Sequence, residues 1–134
     1  TLYGDLAGGL AVIGDCSKEK VYALADYINR NREIIPLSTI KKAPSAELKP
    51  NQKDSDTLPP YPLIDRVIEA YVENHERPEA IAKRLKTELE TIKDIIRRIH
   101  QAEYKRRQAP PSLRISPKSF SIGRRYPIVQ KFII

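Results

Sequence analysis

Between Lys41 and Tyr61 the chain carries Pro44, Pro50, Pro59 and Pro60, alternating charges, and almost no large apolar residue after Leu48. Proline has no backbone N–H to donate and its ring clashes with a preceding helical turn, so this stretch forms neither a helix nor a central strand. A loop this long without structure of its own is uncommon in a compact domain, where it serves either as a cover over a site or as a linker. Regular elements must therefore lie on either side of it, at 1–40 and from 62 onward.

On the N-terminal side, Thr1 to Asp15 holds four of the five glycines. Glycine permits close backbone approach, and Leu10 to Ile13 are expected to be buried there as a short strand or loop wall. The segment reads as a tight connection or as a phosphate cradle; neither G-x-x-x-x-G-K-[ST] nor G-x-G-x-x-G spacing is present to decide for the second. Ser17 to about Asn31 reads as a helix, with Val21, Leu24, Ala25 and Ile28 on one stripe and Asp15 or Ser17 as the cap. Lys18 then falls in the first turn, where a cation opposes the helix dipole unless an anion lies nearby; the alternative is an ordinary solvated lysine. Ile34 to Ile40 is expected as extended chain leading into the loop.

On the C-terminal side, Pro62 suits a helix start, and Ile64, Val67, Ile68 and Tyr71 trace a stripe to about Glu73. A second helix starts near Pro78 with Ile81, Ala82 and Leu85. A third, from about Leu89 to Arg107, has Ile92, Ile95, Ile96 and Ile99 at helical spacing, and the three are expected to pack together. Pro110 and Pro111 end this cluster at about 108, and residues 109–134 read as a basic, irregular or extended tail.

The hydrophobic share of 40% suits a modest core in one domain or a piece of one. No apolar run approaches the roughly 20 residues that cross a bilayer, so a soluble, cytoplasmic chain is expected. Cys16 is the sole cysteine and there are two histidines, which excludes an internal disulfide and a zinc site of familiar spacing. The chain begins at Thr1 and contains no methionine, which suggests a piece of a longer protein. The formal charge of +7 favours an anionic partner. The excess lies late: from Arg97 on there are ten lysines and arginines, and Glu103 is the single acid.

Two classes of function fit this outline. Pro78 to His100 has the outline of a helix-turn-helix DNA-binding module with a basic end. Against it, the turn lacks glycine, and the first turns of the second helix offer Leu89, Glu90 and Asp94 where base-reading side chains belong. The other class is an enzyme part that binds nucleotide phosphates. In it the loop, Lys18 and the cluster Glu103-Tyr104-Lys105-Arg106-Arg107-Gln108 would serve a polyanionic site. The plain account of Lys105 to Arg107 is a solvated helix end whose cations suit the dipole.

Six blocks decide between them. Leu2 to Ile13, Pro44-Ser45-Ala46-Glu47-Leu48, Gln52-Lys53-Asp54, Leu58-Pro59-Pro60-Tyr61, Glu103 to Gln108 and Gly123-Arg124-Arg125-Tyr126-Pro127-Ile128 occur in order and with fitting spacing. Together they resemble the C-terminal end of bacterial glutamine-dependent NAD+ synthetase, along nearly the whole chain.

The resemblance implies an α/β fold of the ATP pyrophosphatase kind, akin to the adenine-nucleotide alpha-hydrolases, with this chain supplying a mostly helical C-terminal portion with long loops. It implies a ligase of NAD biosynthesis that adenylates deamido-NAD+ with ATP and Mg2+, after which ammonia, from glutamine in the long form, attacks the adenylate to give NAD+. A homodimer or higher oligomer is expected, with an upstream synthetase part and a glutaminase domain as partners, and neither membrane nor nucleic acid. By similarity, Lys18 and Ser45 match positions that contact ATP. Lys105, with Tyr104 beside it, matches the lysine that binds deamido-NAD+, and Leu2, Tyr3, Gly4 and Asp5 fall where its pocket is lined. Leu2 stands where ammonia-dependent members often carry lysine. Cys16 does not match the glutaminase nucleophile. The Ser-Gly-Gly-x-Asp-Ser loop and the Mg2+ ligand of the family would lie upstream, so no catalytic or metal residue is assigned here and the chain alone is expected to be inert. The 41–61 loop then reads as a cover over ATP.

Overall fold

The computed structural model describes residues 8–119 and 125–130. They form two compact units, one made of Ser17–Asp65 and one made of the residues on either side of it. Six α-helices occur among the described residues, together with one isolated parallel bridge between Ala11 and Ser112.

In the Ser17–Asp65 unit, helix α1 spans Lys18–Asn29. Ser17 caps it with an extended backbone and an Oγ that accepts the Lys20 N–H at 3.4 Å. Asp65 accepts the Glu19 N–H at 2.9 Å, so a carboxylate already sits at the positive end of the helix dipole. The carboxylate answers the dipole at the helix start, whereas the Lys18 ammonium makes no ion pair with it and lies over the Tyr61 ring. At the other end Asn29 stops the helix by folding its amide back: Oδ1 accepts the N–H groups of Ile34 and Ile35 at 2.9 Å each, and Nδ2 donates to the Ile35 carbonyl at 2.8 Å.

The expected extended run through Ser38 and Ile40 is instead helix α2, Leu37–Lys41. Pro36 supplies its N-terminal carbonyl to Thr39 and Ile40, and the Glu33 carboxylate accepts the Leu37 N–H at 2.9 Å. A short 3-10 turn, Asp54–Asp56, interrupts the proline-rich loop.

Helix α3, Tyr61–Ile68, has Pro62 in its first turn as expected and widens at once into a π-helical turn, Glu69–Glu73. Helices α4, Pro78–Leu85, and α5, Leu89–Gln101, follow. These elements hold the buried apolar core: Val67, Ala70, Val72, Ile81, Ile92, Ile95, Ile96 and Ile99. Each large aliphatic side chain buried there contributes about 1.5–3 kcal/mol, which makes α5 the keystone of that unit. By contrast, α1 fully buries no residue; its stripe residues Leu24 and Ile28 remain 44% and 43% exposed.

Two further expectations are corrected. The helix from Leu89 does not run unbroken to Arg107 but bends at Ala102 (φ −82°, ψ 4°), and α6, Glu103–Gln108, begins there. The cause is Glu103, an acid drawn inward to 2% exposure that collects Arg106 and Arg107. Leu10, Val12 and Ile13 are 52%, 58% and 55% exposed rather than buried. The segment is paired at Ala11, whose N–H donates to the Pro111 carbonyl at 2.9 Å, and this backbone contact leaves more than half of each neighbouring apolar side chain exposed. Close approach does operate at Gly14, where a Cβ would come within 3.0 Å of both Ala11 and Ser112.

The α4–α5 turn lacks glycine, and Lys86 takes the left-handed cap conformation instead (φ 52°, ψ 44°). A side chain there costs about 1–2 kcal/mol of local strain relative to glycine, offset in part by glycine's greater unfolded-state freedom. Lys86→Gly is therefore expected to raise stability by about 0.5–1 kcal/mol in denaturant melts, and a loss of stability would contradict the strain.

Candidate functional site

The proline-rich loop is tied to itself. The Asp54 N–H donates to the Pro44 carbonyl at 2.9 Å, closing an Ω-type loop, and inside it the Leu48 N–H donates to Gln52 Oε1 at 2.9 Å. Ser45 Oγ accepts the Glu47 N–H at 3.0 Å, a hydroxyl turn that supports the left-handed Glu47 (φ 52°). The loop borders an open concavity of about 820 Å³ lined by Lys42, Ser45, Glu47, Lys49, Gln52 and Lys53, in which three lysines outnumber one carboxylate. Lys42 meets Glu47 at 2.7 Å in a fully exposed pair, so water screens it and it opens at little cost. Ser45, expected as a site residue, thus lines a cationic hollow.

Lys18 is half-buried, with its Nζ 5.4 Å from the centre of the Tyr61 ring. The Tyr61 hydroxyl donates to the Asp54 carboxylate. Burial first, and then this bond and the charge of Asp54, push the Tyr61 phenol up to about 12, so it keeps its proton at neutral pH. A chain of contacts therefore runs from Lys18 through Tyr61 and Asp54 to Pro44, the neighbour of Ser45. Tyr61, Asp54 and Asp65 were not singled out from the sequence. Tyr61 and Asp54 lie in the quoted blocks, but nothing in the spacing of two residues seven apart across prolines says that they touch.

In the other unit, α6 carries Tyr104, half-buried, and Lys105, exposed. Their position is fixed by Glu103. Its carboxylate accepts from Arg106 at 2.9 Å, from Arg107 at 3.2 Å and from the Tyr126 N–H at 3.4 Å, while Arg106 also reaches the Ile99 carbonyl. Burial raises the Glu103 carboxyl, but the bonds from Arg106, Arg107 and Tyr126 outweigh it and hold the group below its ordinary value. Arg107 donates in turn to the Tyr126 carbonyl at 3.0 Å, and the Tyr126 ring stands edge-on to His100 with centroids 4.0 Å apart. His100 Nε2 lies 2.8 Å from the Tyr71 hydroxyl. The tail is also pinned by Asp15, 8% exposed, which accepts the Ile115 and Ser116 N–H groups at 2.8 and 2.7 Å and the Ser116 hydroxyl at 2.8 Å. Leu2, Tyr3, Gly4 and Asp5 lie outside the described residues.

Among the described residues, no group of three or more His, Cys, Asp or Glu could hold a metal ion, and no helix is long and apolar enough to cross a membrane.

The family model for NAD synthase matches residues 1–109. The chain is 45% identical over 132 residues to glutamine-dependent NAD(+) synthetase of Synechocystis, covering 98% of this chain and 24% of the relative. It is 46% identical over 132 residues to the enzyme of that name from Acinetobacter baylyi, at 96% and 24% coverage. A solved structure of glutamine-dependent NAD+ synthetase from Acinetobacter baumannii, in complex with ADP, superposes with a TM-score of 0.51 at 35% identity. It is covered over 96% of this chain and 22% of its own. The chain belongs to the NAD synthase family and spans about a quarter of the length of these relatives. The helix-turn-helix alternative finds no support: α4 and α5 form the expected pair, but all these matches lead to NAD synthetases.

A depressed carboxylate contributes stability that is present above its ordinary value of 4.5 and lost as pH falls through the folded one. Acidification below that value is thus expected to loosen α6 and the tail. Glu103→Gln should lower stability by about 1.5–3 kcal/mol at neutral pH and flatten this acid dependence, measured as the unfolding midpoint against pH. An unchanged acid limb would remove Glu103 from this role.

Proposed function

We propose that these residues act as part of a glutamine-dependent NAD+ synthetase. That enzyme converts deamido-NAD+ to NAD+ with ATP, through an adenylate that ammonia attacks. The family match across residues 1–109 carries this reading. The proposed whole is a cytoplasmic α/β enzyme of the ATP pyrophosphatase kind, a homodimer or higher oligomer, in which this chain supplies helices and loops beside a sheet contributed by other residues.

In this reading Lys18 and Ser45 serve ATP. The Lys18 ammonium neutralises phosphate oxygens and orients them, and Ser45, whose Oγ accepts from Glu47, has its hydroxyl proton to donate to a phosphate oxygen. Lys42, Lys49 and Lys53 add positive charge to the same hollow. The loop 44–54 covers the nucleotide and keeps water from the activated carboxylate. Lys105 and Tyr104 on α6 serve deamido-NAD+, together with Leu2, Tyr3, Gly4 and Asp5. No residue described here is assigned to Mg2+, and no step is routed through it.

In the complete enzyme, Lys18→Ala is expected to raise the KM for ATP, and Lys105→Ala the KM for deamido-NAD+. Each should lower kcat/KM for its substrate by about 1.5–3 kcal/mol, the worth of a charged hydrogen bond. An unchanged kcat/KM would remove the residue concerned from the site. The 134-residue chain alone, given ATP, deamido-NAD+ and ammonia, is expected to form no NAD+.

A further inference from the structure

Lys18 stands beside an aromatic face, where an ion pair would be the commoner arrangement. Its Nζ lies 5.4 Å from the Tyr61 centroid, and Tyr61 is itself fixed at its far end by the hydrogen bond to Asp54. Asp65 is near in the fold, yet its Oδ2 is engaged by the Glu19 N–H at 2.9 Å, and the helix start is capped by Ser17 as well. The N-terminus of α1 is thus already satisfied, and the positive group it presents is the Lys18 ammonium.

Partner choice has a chemical consequence. A carboxylate would neutralise Lys18 and occupy its N–H donors, so a phosphate would have to displace it. A ring face attracts the cation through its quadrupole, fixes the direction of the side chain, and accepts no conventional hydrogen bond. All three ammonium donors then remain for phosphate oxygens. Holding the side chain beforehand also reduces the rotamer entropy lost when the phosphate arrives.

We propose that Tyr61 is a positioning residue for polyphosphate binding: its ring holds Lys18 in a charged, donor-ready orientation, and Asp54, by fixing the Tyr61 hydroxyl, ties that orientation to the loop carrying Ser45. Asp54 can do both because its backbone N–H closes the loop on Pro44 while its carboxylate holds Tyr61. This inference rests on the assignment of Lys18 to ATP, and the test separates the two.

The test is steady-state kinetics on the complete enzyme. Tyr61→Leu removes the ring and is expected to raise the KM for ATP about tenfold, with kcat changed less than about threefold and the KM for deamido-NAD+ unmoved. Tyr61→Phe keeps the face and should recover most of that loss. In a Lys18→Ala background, Tyr61→Leu should have little further effect, because the two act as one unit. Phenylalanines of increasing fluorination at position 61 keep the ring's shape while weakening its quadrupole, and should raise the KM for ATP stepwise even if the leucine variant fails to fold. If Lys18→Ala leaves the KM for ATP unchanged, the ATP assignment itself falls. If Lys18→Ala raises it but the fluorinated series is flat, or Tyr61→Leu multiplies independently with Lys18→Ala, the positioning role alone is overturned.

Discussion

Asp54 holds two things at once, and the arrangement of the Ser17–Asp65 unit depends on it. Its backbone N–H takes the Pro44 carbonyl and its carboxylate takes the Tyr61 hydroxyl. A proline-rich segment cannot pair its backbone with itself in a helix or ladder, because the missing N–H groups break any regular pattern. The remaining polar groups must find irregular partners, and here side chains supply them: Ser45 for Glu47, Gln52 for Leu48, Asp56 for Lys53. The result is a loop with a fixed shape and a cationic hollow, reached without a hydrophobic core.

The other unit is built the opposite way. Val67, Ile81, Ile92 and Ile96 have no exposed surface, and α4 packs against both the apolar face of α5 and the π-helical turn. Its polar devices lie at the edge of this core and serve position more than cohesion. Glu103 bends the chain at Ala102, gathers Arg106 and Arg107, and takes the backbone of Tyr126. An inward carboxylate is costly unless paired, and two guanidinium groups and an N–H meet that cost. Lys105, two residues further along α6, is left exposed.

Both units thus present a lysine from a short, well-anchored frame. Lys18 leaves a helix whose start is capped by Ser17 and Asp65, and Lys105 leaves a helix set by Glu103. In the proposed enzyme, cations carried on anchored helices would offset repulsion between phosphates with less reorganisation.

The helices at Ser17, Pro62, Pro78 and Leu89 were legible because apolar spacing and caps are local, and the loop because proline acts within one or two residues. The family was legible from six short blocks in series, and with it Lys18, Ser45, Tyr104 and Lys105 as candidates. Helix α2, the bend at Ala102 and the exposure of Leu10 to Ile13 were not. Each turns on distant packing or a specific partner: Glu33 accepting from Leu37, Arg106 and Arg107 closing on Glu103, and the half-exposed setting of Leu10, Val12 and Ile13. The contacts of Lys18 with Tyr61 and of Tyr61 with Asp54 are of the same kind. Sequence determined which residues could carry charge to a phosphate; only the tertiary structure decided that an aromatic face, rather than a carboxylate, would hold one of them, because that choice depends on which side chains the loop's irregular hydrogen bonds bring together.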